Sequence, residues 1–151
     1  MSAGLPSVEP ARPDDLPAIE RLLERCELPT EDIDGSSLAH FLVVRSDALP
    51  VGVVGLEPYP PAGLLRSLAV DPGVRGRALG GALVAAIERR ASELGLTTLY
   101  LLTISAAPFF AARGYTATAR AAVPDAVRSS AEFRALCPDT AVCLRRSLLS
   151  S

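Results

Sequence analysis

An α+β domain, with helices flanking one mixed β-sheet, is the fold these 151 residues predict. Three patterns carry the expectation. Branched apolar segments at 38–45, 49–57 and 64–70 alternate with turn residues, as two successive antiparallel hairpins do. A long amphipathic stretch over 76–94 reads as a helix. A nearly continuous apolar run at 97–103 reads as a strand covered on both faces. Hairpins followed by β-α-β need strands running both ways, hence the mixed sheet.

Residues 8–12 suit a short first strand. Asp14 and Asp15 supply an N-cap and negative charge for a first turn, and Leu16, Ile19, Leu22 and Leu23 follow at helical spacing. That helix is expected to end near residues 26–28, before Pro29. Residues 30–37 are polar and contain Gly35, so they read as a loop or a single helical turn. Ser46, Asp47 and Pro50 turn the chain between the first two hairpin strands; Pro58, Pro60, Pro61 and Gly63 break it before the third. In the long helix Leu79, Leu83, Ile87, Ala91 and Leu94 form one stripe, and Gly95 stops it. A short helix at 107–113 ends at Gly114. Residues 115–120 suit another strand, 124–136 are helical in pattern, and 141–146 suit the last strand. No repeat or linker divides the chain, so one domain over 1–151 is expected.

Composition narrows the function. Charged residues make up 21% and hydrophobic residues 49%, which is globular rather than disordered. A net charge of −2 gives no global basic footprint for nucleic acid. All 15 basic residues are arginine, which rules out lysine Schiff-base and P-loop chemistry. Cys26, Cys137 and Cys143 are an odd set without framework spacing. Residues 1–12 lack a cationic segment followed by an apolar core, and no apolar run reaches the about 18 residues of a membrane span. The expectation is a soluble, reduced, cytoplasmic protein without metal, membrane or nucleic-acid partners.

The most informative stretch starts at Leu68. A strand runs out at Val70, a turn carries Pro72 and Gly73, and small residues open the long helix. The first four amides of a helix have no partner inside it and lie at the positive end of its dipole. Gly76, Ala78 and Gly80 have little or no side chain, so a phosphate can approach those amides closely. Arg75 and Arg77 add positive charge beside them. This is the chemistry of a pyrophosphate cradle, though neither a P-loop nor a G-x-G-x-x-G fingerprint is present. The plainer alternative is a small-residue helix start that only packs against the sheet.

Arg75, Ala78 and Gly80, following Leu68, Val70 and Pro72, resemble the GNAT N-acetyltransferases, whose signature is Gln/Arg-x-x-Gly-x-Gly/Ala after a strand ending in Leu-x-Val-x-Pro. Ala78 departs from the signature glycine; its methyl narrows the turn and keeps the amide. Residues 105–115, with Phe109, Phe110, Gly114 and Tyr115, resemble the second GNAT signature, A-x-x-F-(Y/F)-x-x-x-G-(F/Y). The two motifs stand in the right order, about one strand apart.

The resemblance implies a single GNAT domain whose middle strands splay to admit the pantetheine of acetyl-CoA, the cosubstrate. Leu68, Ala69 and Val70 would flank that arm, and the amides of Arg75, Gly76, Arg77, Ala78, Leu79 and Gly80 would hold the pyrophosphate. The Leu68 N–H would face the oxyanion formed when the amine attacks the thioester. The family often places a tyrosine at the position of Phe110, beside the cofactor, to protonate the thiolate; phenylalanine donates no proton, so Tyr115, Tyr59 or water replaces it, or the thiolate leaves unprotonated. Glu57, at the end of an apolar strand, is the candidate base, against the alternative of a solvated carboxylate at a strand end. His40, the only histidine, reads as structural.

A narrower resemblance covers nearly the whole chain. Residues 28–33, 51–57, 64–68 and 132–138 are similar to the arsenic-resistance N-acetyltransferases of the ArsN type. A related branch acetylates amino-acid antibiotics bearing arsenic or phosphorus acids, which implies a small, anionic amine as acceptor. Arg66, two residues before Leu68, would share its face and could hold a carboxylate or arsenic oxyanion, against the alternative of an ion pair. Ser67 points the other way in a regular strand, and a bulge would alter both directions. Glu31, with Asp32, could hold the substrate ammonium, or simply be solvated. Cys137 and Cys143 suggest a soft thiol site but read as packing. Two other readings stay open: a non-catalytic acetyl-CoA-binding sensor or scaffold, and a protein-amine acetyltransferase. A homodimer is also left open by the resemblance.

Overall fold

The computed structural model describes residues 7–74, 78–136 and 140–149. Among these, seven strands form one sheet: β1 (Val8–Pro10), β2 (Phe41–Ser46), β3 (Leu49–Tyr59), β4 (Ala62–Val70), β5 (Thr98–Thr103), β6 (Thr116–Ala117) and β7 (Val142–Ser147), in the order β1-β2-β3-β4-β5-β7-β6. The helices are α1 (Leu16–Arg25), α2 (Leu79–Glu93), α3 (Ala107–Ala111) and α4 (Asp125–Arg128). Parallel and antiparallel pairs both occur, so the sheet is mixed and the class is α+β, as the hairpin and β-α-β patterns require. By contacts the chain forms two compact units, Met1–Gly55 with Ser67–Ile87, and Leu56–Arg66 with Glu88–Ser151.

In the first unit β1 pairs antiparallel with β2 (Val8↔Val44), and β2 with β3 (Phe41↔Gly55). A Cβ at Gly55 would overlap the ring of its pair partner Phe41, so the glycine makes room for a core aromatic. Helix α1 buries Ile19, Leu22 and Leu23 completely against Phe41, Val43, Val53 and Ala69. Each such side chain contributes about 1.5–3 kcal/mol on leaving water. Leu83 of α2 packs on β3 at Gly52, where a Cβ would lie 3.0 Å from its Cδ1. That contact anchors the helix whose start is the expected cradle.

In the second unit β4 and β5 run parallel (Ala62↔Thr98, Leu64↔Tyr100), and β7 pairs antiparallel with β5 and β6. Ala62, Leu64, Tyr100, Val123, Val127 and Cys143 form its core, with Tyr59, Leu102 and Phe133 packed against it. Glu88 accepts from Tyr115 Oη and, on β7, from Arg146 Nη1, both at 2.8 Å.

Four sequence expectations need correction. Residues 38–40 are not strand but part of a 3-10 turn, Ser37–His40, because Asp34 Oδ1 captures the amides of Ser36 (2.9 Å) and Ser37 (3.0 Å) just before it. Pro58 does not break β3, which runs on to Tyr59; Pro60 and Pro61 alone make the connection to β4. The strand expected at 115–120 is only β6, and a 3-10 turn, Arg120–Ala122, follows it. Residues 124–136 form two pieces, α4 and a π-helical turn at Glu132–Leu136, because buried Ser130 interrupts them. Its Oγ accepts from the Phe133 amide at 3.4 Å, the local competition for backbone donors that makes serine a helix breaker.

Candidate active site

The cofactor side is built in the first unit. Strand β4 delivers Leu68, Ala69 and Val70 to Asp71, which turns the chain. Asp71 Oδ1 accepts from the Gly73 amide at 2.8 Å and Oδ2 from Arg25 Nη2 at 3.0 Å, and the 3-10 turn Pro72–Val74 follows. Arg75, Gly76 and Arg77 lie outside the described residues. Ala78 leads into α2 with φ +59°. Ala82 N donates to Ala78 O at 3.1 Å, so the amides of Leu79, Gly80 and Gly81 precede the intrahelical ladder and lie at its positive end. Gly80 and Gly81 carry no side chain of their own at those amides. Residues of this kind fit a pyrophosphate.

The left-handed φ corrects the sequence reading of Ala78. Its methyl matters less by narrowing the turn than by strain, because this backbone region disfavours any residue with a Cβ. A glycine in the family signature has a conformational reason at that position. Ser67 is likewise left-handed, φ +59°, in the middle of β4. The alternation that would give Arg66 and Leu68 one face therefore does not run through it.

The chemistry-bearing cluster lies in the second unit. Glu57 Oε1 accepts from Tyr59 Oη and Oε2 from Arg66 Nη1, each at 2.5 Å. Arg66 Nη2 is 3.5 Å from Glu132 Oε2, on the π-helical turn. The Arg66 and Glu132 side chains are 2% and 5% exposed, whereas that of Glu57 is 26% exposed. Glu57 is thus the member of this ion-paired trio that reaches solvent, and it is neither loose nor freely solvated. Arg66 does not stand as an open fork for a substrate anion: the guanidinium is buried and engaged by two carboxylates.

The other expected residues fall elsewhere. Glu31 is exposed in a turn of the first unit, where its Oε1 accepts from the Thr30 amide at 3.2 Å. Ser67 is buried. Phe110, on α3, is 3% exposed and stacks edge-on with Phe109 (5.1 Å) and Tyr115 (5.3 Å). Tyr115 donates to Glu88, and burial foremost, then the Glu88 charge, raises its pKa well above the ordinary tyrosine value. It is a poor candidate for the thiolate's proton. Tyr59 is the tyrosine placed beside Glu57. Burial also pushes up the Cys143 thiol, and Cys26 Sγ donates to Val70 O at 3.7 Å; Cys137 lies outside the described residues. Among the described residues no group of three His, Cys, Asp or Glu could hold a metal ion, and no helix is long and apolar enough to cross a membrane.

Comparison with known proteins gives the family. A family model described as an acetyltransferase (GNAT) domain matches residues 37–117, more than half of the chain. The chain belongs to the GNAT acetyltransferases. This GNAT domain is 32% identical, over 72% of its length, to an amino-acid acetyltransferase of Ralstonia nicotianae, and 39% identical over 52% to one of Azotobacter vinelandii. It spans only 22% and 18% of those relatives' lengths. Among solved structures, N-acetylglutamate synthase of Neisseria gonorrhoeae, complexed with coenzyme A and N-acetyl-glutamate, superposes with a TM-score of 0.85 at 22% identity, over 99% of this chain and 36% of that one. Rv2747 of Mycobacterium tuberculosis, solved in complex with CoA, superposes with a TM-score of 0.80 at 27% identity, over 95% of this chain and all of that one.

Three residues of this GNAT domain escaped the sequence reading. Glu132 sits far along the chain from Arg66, and nothing local marks it. Tyr59 reads in the sequence only as a candidate acid, not as a donor to Glu57. The Glu57–Arg66 pair had a readable signal: counting outward from a two-residue connection at Pro60 and Pro61 sets 57 opposite 64 and 66 on the diagonal, within reach of long side chains. Asp71, an Asp-Pro-Gly turn former, was passed over as well. An open groove of about 720 Å³ in the first unit has Arg21, Glu24, Arg25, Asp47 and Asp71 on its walls and, among the described residues, none of the expected site residues.

Proposed function

We propose that this GNAT domain transfers acetyl from acetyl-CoA to the amino group of a small amino acid. Acetyl-CoA, when bound, supplies the activated thioester. The amides of Leu79, Gly80 and Gly81 hold its pyrophosphate, together with Arg75 and Arg77. Glu57 takes a proton from the substrate ammonium, directly or through one water, and the freed nitrogen attacks the acetyl carbon. The Leu68 N–H stabilises the developing oxyanion. The C–S bond then breaks: the attacking nitrogen, left cationic with two protons, gives one up as the amide forms and the departing thiolate takes one up, while the proton that Glu57 took passes to solvent.

One observation carries the chemistry: Glu57 is a solvent-reaching carboxylate whose two oxygens are each fixed by a donor, Tyr59 on one and Arg66 on the other. Each carboxylate oxygen accepts two hydrogen bonds, so a lone-pair site on each is left for the amine. The acceptor class rests on the amino-acid acetyltransferases to which the chain is similar. The arsenic-resistance reading is narrower and rests on the four sequence segments alone.

An acetyl-CoA thiol-release assay over amino acids, phosphinic and arsinic amino acids, and peptides tests the reading. Turnover with a free amino acid, giving an N-acetylated product, is the expected result. CoA binding without turnover would instead identify a binding module, and turnover with peptides alone a protein acetyltransferase.

A further inference from the structure

The Glu57–Arg66–Glu132 chain is graded from core to solvent. Glu132 and Arg66 are buried, and Glu57 is partly exposed. Arginine is suited to the middle of such a chain, because its planar fork presents several donors in fixed directions. Here Nη1 donates to Glu57 at 2.5 Å, and Nη2 stands in ion-pair contact with Glu132 at 3.5 Å. Glu132 sits in the core on a π-helical turn, so its contact with Nη2 favours one orientation of the guanidinium plane and, with it, one direction of Nη1. π-Helical turns are rare, and they frequently occur at functional sites.

We infer that Glu132 is a positioning residue: it pins Arg66, and Arg66 in turn holds the Glu57 carboxylate in one orientation. The inference builds on the reading of Glu57 as the base. It also gives Arg66 a part different from binding the substrate anion. A base must stand within hydrogen-bond reach of the proton it takes, so a Glu57 free to change rotamer would be correctly aimed only part of the time. Tyr59 fixes the second oxygen, and the two donors leave Glu57 a single pose. A lysine in place of Arg66 would offer one point charge and could not span both carboxylates.

Two readouts on the same proteins test this, and the first does not depend on turnover. Side-chain NMR follows the Arg66 Nη–H signals and the order of the Glu57 methylenes in the wild type, Glu132→Gln and Arg66→Lys. Glu132→Asp, which stretches the Nη2 contact with its charge kept, serves if Glu132→Gln fails to fold. Steady-state kinetics then give kcat and KM. Glu132→Gln is expected to broaden the Arg66 signals, lower Glu57 order, and reduce kcat about tenfold at unchanged KM for acetyl-CoA. Arg66→Lys should lose at least as much. Glu57 as ordered in Glu132→Gln as in the wild type would overturn the inference, and so would lost order with kcat intact. Lower Glu57 order in a protein that acetylates no amine would uphold the positioning and refute the reading of function.

Discussion

Arg66 Nη1 and Glu57 Oε2 stand 2.5 Å apart, on residues that flank the Pro60–Pro61 connection from opposite sides. An arginine side chain only 2% exposed beside two carboxylates holds their charges in place, and its removal takes a cation away from the buried Glu132 carboxylate. Breaking such a pair from one side typically destabilises by about 3–5 kcal/mol. Arg66→Met is therefore expected to lower the unfolding free energy from urea melts by about 3–5 kcal/mol. Its kcat/KM should fall equally for an anionic amine and a neutral amine of matched size. A loss confined to the anionic one would return Arg66 to the substrate.

Ala78 occupies a left-handed conformation just before α2. Relief of about 1–2 kcal/mol on removing the Cβ is offset by about 0.4–1 kcal/mol from the looser unfolded chain. Ala78→Gly should then stabilise by about 0.5–1 kcal/mol, a rise in Tm of up to about 4 °C. Calorimetric melting decides, and a lower Tm would show that the strain is absent.

Gly80 lies in the first turn of α2, among the amides assigned to the pyrophosphate. Gly80→Asp would bring a carboxylate against it. CoA affinity measured by titration calorimetry should fall at least tenfold, the equivalent of about 1.4 kcal/mol. Unchanged affinity in a folded variant would move the cradle elsewhere.

The sheet was legible because branched apolar segments and Pro/Gly turns are local signals, and the long helix because its stripe spans four turns. What escaped was set by particular side chains. Asp34 draws two amides into a 3-10 turn where apolar residues suggested strand, and Ser130 splits a helix-like stretch. At the site, strand position marks Glu57 and Arg66 singly, and their pairing shows only on counting across the Pro60–Pro61 connection. Ser67 adopts a left-handed φ that no residue type announces, so side-chain directions past it were not readable by counting. Glu132 joins the cluster through tertiary packing alone.

Asp15 binds Arg45 through both oxygens, at 2.7 and 2.6 Å, and accepts from the Arg12 amide at 2.7 Å. The Arg45 hydrogen bonds foremost hold its pKa below the ordinary 3.8, against the opposing effect of burial. A depressed folded-state pKa contributes stability that is full above the unfolded value and is lost as pH falls through the folded one. Urea stability should therefore decline below about pH 4, and Asp15→Asn should flatten that part of the profile. An equally steep decline in Asp15→Asn would assign it to other carboxylates.

Glu57 as base to an amino-acid amine is the centre of the account, and one comparison addresses it directly: kcat/KM for acetyl transfer to the best amino-acid acceptor, wild type against Glu57→Gln, with CoA affinity measured alongside. Loss of a positioned base typically costs about 10²-fold or more. The account predicts a fall of about that size at neutral pH, with CoA binding unchanged. Full activity in Glu57→Gln at neutral pH would contradict it.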